Sequence, residues 1–323
     1  MNKNQARLGL LLSLASIAII FAWPLVTHKA SDRESAFTIL RAITLAVSLN
    51  ILLGYTGYVS FGHIVFFGLG GYVGVYLIVV KGWSLWLAML AGGLASGLLA
   101  LVVGSAILRL RGAYFALVTI GLNEVVRSFI NNFEPFGGPI GMTIKFSVYK
   151  AYGGAAHMLQ LAFYVVTGLA VLATLVSYFV RTSRFGLGLL AIREDEDAAE
   201  VMGVRAPTMK TIAYVLSAII PGMLGALFFF KNGSIEPPEA FPLAISIEMI
   251  VMVMLGGQGT VLGPILGAAG YQAMRTFLLT NPVLKNIQLT VAGVLLLLIV
   301  LFIPAGFIGW LRRRFPKVRR VLI

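Results

Sequence analysis

The chain has no cysteine. Disulfides, thiolate metal sites and cysteine nucleophiles are therefore excluded. Charge is scarce as well: Asp, Glu, Lys and Arg make up 11% of 323 residues, against about 25% in soluble domains. That leaves too little polar surface to clothe a water-soluble globule. No G-x-x-x-x-G-K-[ST] occurs, so no P-loop cradles a nucleotide phosphate. The three histidines, His28, His63 and His157, stand far apart. Neither HExxH nor any other metal-ligand spacing is present. No catalytic residue and no metal site is assigned, and an enzyme is not expected. The polar alternation of a membrane β-barrel is missing too.

What the chain does contain is apolar sequence in long blocks. Hydrophobic residues reach 59%. A helix crossing a bilayer core of roughly 30 Å needs about 20 mainly apolar residues. About ten (eight to ten) such segments are expected: Leu8–Thr27, Ala36–Leu53, Ile64–Val80, Leu85–Leu108, Tyr114–Ile130, Leu159–Val180, Ile212–Phe230, Leu243–Leu255, Ile265–Leu279 and Ile287–Ile308. Helix is the form that satisfies the backbone in lipid. The fold class is an all-α membrane protein, a polytopic helical bundle in a single domain spanning 1–323. The first apolar run follows Lys3 and Arg7 as a signal peptide would. Its length and the lack of a small-x-small site before Lys29 favour a retained helix.

The 25 basic residues outnumber the 12 acidic ones, for a net charge of +13. A soluble protein with that balance would suggest nucleic acid. Here the excess fits basic residues gathering at the cytoplasmic ends of membrane helices. An inside N-terminus places Lys3, Arg7, Arg109, Arg111, Arg181, Arg184, Arg193, Arg205 and Lys210 in the cytoplasm, with Arg312–Arg314, Lys317, Arg319 and Arg320. Both termini are then cytoplasmic. A long external loop covers 131–157 and contains the turn-rich run Glu134-Pro-Phe-Gly-Gly-Pro-Ile-Gly141, which cannot be a single helix. A long cytoplasmic loop covers 181–210.

Two glycine-rich runs interrupt apolar sequence. They are Gly54–His63, continuing to Gly68–Gly71, and Gly256–Pro264. They read equally well as discontinuous helices around a pathway or as tight packing through small residues. Leu255-Gly-Gly-Gln-Gly259 superficially resembles an ABC ATPase signature, but without a P-loop it reads as membrane structure.

Intramembrane charge is costly and commonly functional. Glu124 and Arg127 are spaced i, i+3 and can pair on one helix face. They mark either a polar patch near a transport route or an internal pair that fixes packing. Glu248 and Arg275 are further candidates for buried charge, with no obvious sequence-local partner. His63 beside a glycine break reads as a packing or hydrogen-bonding residue. Ser60, His63, Thr119, Asn123, Glu124 and Arg127 are the candidate residues of a translocation path.

The most specific signal is Glu194-Asp-Glu-Asp-Ala-Ala-Glu-Val-Met-Gly203. It reads as a short helix with acids in its first turn and a glycine stop. It is too short to cross a membrane and too charged to lie in one. Ala198 and Ala199 would let a partner approach closely. A solvated amphipathic linker fits the same charge pattern.

Asp197-Ala-Ala-x-x-x-Gly203 resembles the E-A-A-x-x-x-G coupling motif of ABC importer permeases, with Asp in place of Glu. The run Ser183–Val204 resembles S-R-x-G-R-A-L-x-A-I-R-E-D-E-x-A-A-x-A-M-G-I of the LivM-type branched-chain amino acid permeases. Leu110–Thr119, Leu255–Gly267 and Ser60-Phe-Gly-His-Ile-Val-Phe-Phe-Gly68 agree with the same family. The likeness runs from about Asn50 to Gly267. Leu187 departs from the family's Arg, and Phe136–Met142 replaces its T-G-G-x-x-G-[LI].

The resemblance implies a type II-like ABC importer permease in the bacterial inner membrane. Glu194, Asp195, Glu196, Asp197, Ala198, Ala199, Glu200, Met202 and Gly203 would form its coupling helix. It implies as partners a second, LivH-like permease, two ABC ATPases and a periplasmic substrate-binding protein. ATP and Mg would bind the ATPases, and this chain would hold no cofactor. The implied substrates are branched-chain or other hydrophobic amino acids, with urea or short amides as the alternative. An ion-coupled secondary transporter is a different class; it would need intramembrane carboxylates, and only Glu124 and Glu248 qualify.

Overall fold

The computed structural model describes residues 3–280 and, beyond them, residues 290, 291, 293 and 294. The helices in chain order are α1 Lys3–Thr27, α2 Ala30–Thr56, α3 Ile64–Lys81, α4 Leu85–Ile107 and α5 Ala113–Asn131. Then come α6 Phe146–Lys150, α7 Ala155–Thr182, α8 Arg184–Glu194, α9 Glu196–Val201 and α10 Ala206–Asn232. The last are α11 Pro237–Ala240, α12 Leu243–Gly256 and α13 Leu262–Thr280. The described residues also include two-residue strands β1 (Met142–Thr143) and β2 (Ser234–Ile235).

Among the described residues, 8 helical stretches are long and apolar enough to cross a membrane. The protein is a multi-pass membrane protein. Every expected segment as far as Ile265–Leu279 falls on a helix. That last one, α13, is not among the eight, because Gln272 and Arg275 dilute its hydropathy. Segment Ile287–Ile308 and the basic residues from Arg312 onward lie largely outside the described residues.

Helix ends differ from the hydropathy-based limits for local reasons. α2 begins at Ala30 and takes Asp32 into its first turn, where a carboxylate complements the dipole. α10 begins at Ala206 with Pro207 in its first turn, a favoured position for a residue lacking an N–H. Lys210, expected in the cytoplasmic loop, is thereby carried into α10 and buried. The 131–157 segment is indeed broken, into short 3-10 turns at Glu134–Phe136 and Gly138–Ile140, then β1 and α6.

The chain divides into two compact units. The first comprises Met1–Gly57, Ala170–Val204 and the described residues from Ile247 onward; the second comprises Tyr58–Leu169 and Arg205–Ser246. In the first, α2 is the most enclosed helix, with every residue from Ala42 to Thr56 buried. α1 and α13 pack along it and α8 meets its end.

In the second unit α10 packs on α3 and α4, which also pack on each other. Small residues set how closely they approach. A methyl on Gly70 would strike the Gly222 backbone, and one on Gly92 the Gly70 carbonyl. One on Gly225 would strike the Phe67 carbonyl. Gly70 and Gly74, Gly92 and Ser96, and Gly222 and Ala226 recur at i, i+4, the small-xxx-small spacing of close membrane helices. Gly68–Gly71 is therefore packing surface inside α3, whereas residues 57–63 are a real interruption between α2 and α3. At one end of this unit β1 pairs antiparallel with β2, Met142 opposite Ile235. The Tyr149 hydroxyl donates to the Phe230 carbonyl at 2.8 Å, and the Leu85 N–H donates to the Tyr152 hydroxyl at 2.8 Å. These contacts fasten the 131–157 segment to α4 and α10.

Candidate functional site

Ser60, His63, Thr119 and Asn123 are all buried in the second unit. The stretch Tyr58–His63 brings the first three together by lying against α5. The Phe61 N–H donates to Thr119 Oγ1 at 3.1 Å, and Gly62 presses on the Thr119 carbonyl with no room for a side chain. Asn123 lies four residues beyond Thr119 and so shares its helix face. Its Nδ2 donates to the Phe241 carbonyl at 3.1 Å.

His63 sits just before α3, with Nε2 3.1 Å from the Ser217 carbonyl oxygen. A carbonyl only accepts, so Nε2 carries the proton and Nδ1 keeps its lone pair. His63 Nδ1 and Asn123 Oδ1 are buried without a hydrogen-bond partner among the described residues.

Glu124 and Arg127 do not join this group. Their side chains are 68% and 37% exposed, and they lie 3.7 Å apart. The internal pair envisaged from the sequence is thus a surface pair of this chain. The reason is helix geometry. α5 buries Phe115, Thr119, Asn123, Val126 and Ile130, and Glu124 is one position, or about 100°, away from Asn123. The outward side also carries Tyr114, Leu117, Val125 and Phe129, all exposed.

The Glu194–Gly203 segment folds as two pieces rather than one helix. Asp195 ends α8, its N–H donating to the Ala191 carbonyl at 3.0 Å. Its carboxylate then accepts the Ala198 N–H at 3.0 Å and N-caps α9. An Asp side chain competes well for free N–H groups, which makes it a favoured cap. Glu194 therefore closes α8, and only Glu196–Val201 is α9. Gly203 has φ +90°, a left-handed conformation that strains any residue with a Cβ, so the glycine stop is as expected. Ala198 and Ala199 do not present a joint face. Ala198 points outward, while Ala199 is 5% exposed and packs inside its own chain. Beside the acids, Val201 and Met202 are 87% and 85% exposed, an apolar tip on a charged segment.

Comparison with known proteins places this architecture. The family described as branched-chain amino acid transport system / permease component matches residues 34–301. The chain belongs to that family. It is similar to the high-affinity branched-chain amino acid transport system permease protein LivM of Salmonella typhimurium, at 29% identity over 93% of this chain and 75% of the relative. It is similar to the corresponding LivH protein of Escherichia coli K12, at 24% over 86% of this chain and 92% of the relative. It also resembles the inner membrane ABC transporter permease protein YjfF of the same organism, at 26% over 86% and 80%. No solved structure matches.

In this permease Glu248 and Arg275, the charges left without a sequence-local partner, pair with each other. Arg275 Nη1 donates to Glu248 Oε2 at 3.2 Å, joining α13 to α12. Twenty-seven residues separate Glu248 from Arg275, so no local pattern points to the pair. Lys210, which the sequence places in a cytoplasmic loop, is a further buried charge. Among the described residues no group of three or more His, Cys, Asp or Glu could hold a metal ion.

Proposed function

We propose that this chain is the permease subunit of an ATP-driven importer in the bacterial inner membrane. It passes branched-chain or other hydrophobic amino acids delivered by a periplasmic binding protein. ATP hydrolysis occurs on two partner ATPases, and a second, LivH-like permease completes the pathway. Both termini face the cytoplasm, as does α9. Membership of the family and the names of the relatives support the substrate class. The basic residues Arg109, Arg111, Arg181, Arg184 and Arg205 support the orientation.

The observation that carries the coupling half of this reading is the tip of α9. Val201 and Met202 are nearly fully exposed on a rigidly capped acidic helix. Exposed apolar side chains rimmed by charge are what a docking contact requires. On the membrane side, the polar group Ser60, His63, Thr119 and Asn123 supports a path along the inner side of α5. The outward apolar side of α5, with Glu124 and Arg127, is the side offered to the second permease.

The test is purification in mild detergent from cells producing the whole system. The second permease and two ATPases should co-purify with this chain. Met202→Asp and Ala198→Trp should remove the ATPases while the permease stays in the membrane. Uptake of labelled leucine by vesicles holding this chain alone, driven by an ion gradient, would refute the reading in favour of a secondary transporter.

A further inference from the structure

Four elements of the first unit converge beneath α8. The last two turns of α2 bring Asn50 and Gly54. The turn between α12 and α13 brings Gly257–Thr260. α7 brings Arg181 near its end, and α8 brings Arg193. The Asn50 side chain ties two of them: Nδ2 donates to the Thr260 carbonyl at 3.0 Å, and Oδ1 accepts the Gly259 N–H at 3.0 Å. The Asn50 amide thus ties α2 to the α12–α13 turn, and Gly54 lies against Gly259 beside it, with no room for a Cβ.

Two arginines then bind this junction. Arg193 Nη1 donates to the Gly54 carbonyl at 2.7 Å. Arg181 Nε donates to the Gly259 carbonyl at 3.1 Å. Gly54 lies in the last turn of α2, where carbonyls have no intrahelical partner and the dipole favours a cation. Space at the junction is tight. A methyl on Gly259 would lie 2.7 Å from Arg193 Nη1, and one on Gly57 would lie 3.4 Å from Arg193 Cγ. Gly259 also has φ +77°, so glycine is required there twice over.

The covalent connection outward from Arg193 is short and stiff. Arg193 is in the last turn of α8, and Asp195 both ends α8 and caps α9. A displacement of α9 therefore reaches Arg193 with no flexible linker in between.

We propose that Arg193 and Arg181 are positioning residues that transmit movement of α9 to the joined end of α2 at Gly54–Gly57 and the α12–α13 turn at Gly257–Gly259. The proposal rests on α9 being the contact with the ATPases. Its specific content is the route: guanidinium to main-chain carbonyl at two helix breaks. The first is the C-terminal end of α2 and the second the turn between α12 and α13, where helix hydrogen bonding stops and resists a change of backbone direction least. Coupling of this kind requires a physical element that both ends bias, and the joined helix end and turn are that element.

The experiment uses the whole reconstituted complex, with leucine as the transported probe, and measures leucine moved per ATP hydrolysed. Arg193→Ala and Arg181→Ala should keep both ATPases and the basal hydrolysis rate, while leucine moved per ATP falls by about tenfold. Arg193→Lys should fall between Ala and the natural residue, because it keeps the charge but loses the planar fork. Parallel loss of ATPase binding, hydrolysis and transport would mean that the arginines only hold the structure together, and would overturn the proposal. An unchanged ratio in all variants would overturn it too. If Arg193→Ala yields no assembled complex, Arg193→Lys decides: a lowered ratio supports the route and an unchanged one refutes it. Met202→Asp separates the two layers of argument. If it leaves ATPase association intact, the docking reading of α9 fails; if it removes the ATPases while the arginine variants keep a normal ratio, only the route fails.

Discussion

Lys210 Nζ lies 2.7 Å from the carbonyl oxygen of Leu108, the residue that ends α4. The same ammonium donates to the Tyr58 hydroxyl at 2.8 Å and sits 4.6 Å from the centre of that ring. The side chain is 1% exposed. A buried cation is tolerable here because a helix C-terminus supplies free carbonyls and the negative end of a dipole. Replacing it with Met keeps the length and removes the donors. Leaving a buried acceptor unmade costs about 1–3 kcal/mol. Lys210→Met should lower the thermal midpoint of the detergent-purified protein, while exposed Lys150→Met should not. Equal midpoints for the two would show that the α4 end does not depend on this lysine.

The Glu124–Arg127 pair should behave as a surface pair in the isolated chain. Exposed pairs contribute about 0.2–1 kcal/mol. Glu124→Gln and Arg127→Gln should barely change the melting of the purified permease. Both should impair transport by the complex if this side of α5 meets the second permease. A double-mutant cycle on transport should then show an interaction between them. Large losses of melting temperature in both single variants would instead identify a purely internal packing role.

Glu248 and Arg275 should show the opposite signature. Their side chains are 10% and 27% exposed. Removing one partner of a buried pair strands the other charge, at a cost of up to about 3–5 kcal/mol for full burial. Glu248→Gln and Arg275→Met should each lower stability and yield in the membrane. The double variant should recover part of the loss. A double variant worse than either single would mean that each residue has another essential partner.

The orientation is open to direct labelling, because the chain contains no cysteine. Ser147 in α6 and Arg205 before α10 are both exposed. With cytoplasmic termini, Ser147→Cys reacts with an impermeant thiol reagent added to the periplasmic side. Arg205→Cys reacts only after the cells are opened. The reverse pattern would invert the topology, and labelling of both from one side would place α7 and its flanks wrongly.

Much of this was readable along the chain. Long apolar blocks need no tertiary information to become helices, because lipid leaves the backbone no other way to close its hydrogen bonds. The stop at Gly203 was legible for a similar reason: the signal is local and only glycine adopts that φ freely. The same local rules misjudged α9. They saw acids, two alanines and a glycine, and merged Glu194 with the helix that follows. The cap at Asp195 depends on one carboxylate choosing one N–H, which composition does not reveal.

By itself the sequence determined that the protein is helical, that it lies in a membrane and that no nucleotide is held in a P-loop of its own. It also carried the motifs of the permease family. Only the tertiary structure decided which polar residues meet. It sent Asn123 inward and Glu124 outward, paired Glu248 with Arg275, and buried Lys210 against the end of α4. It also assigned the glycines, packing Gly70 against Gly222 while joining Gly54 and Gly259 to the arginines beside α9. Hydropathy is summed along one segment, so one chain suffices to read it. A buried charge or a glycine contact takes its meaning from a partner on another helix, and the spacing along the chain does not encode which helix that is.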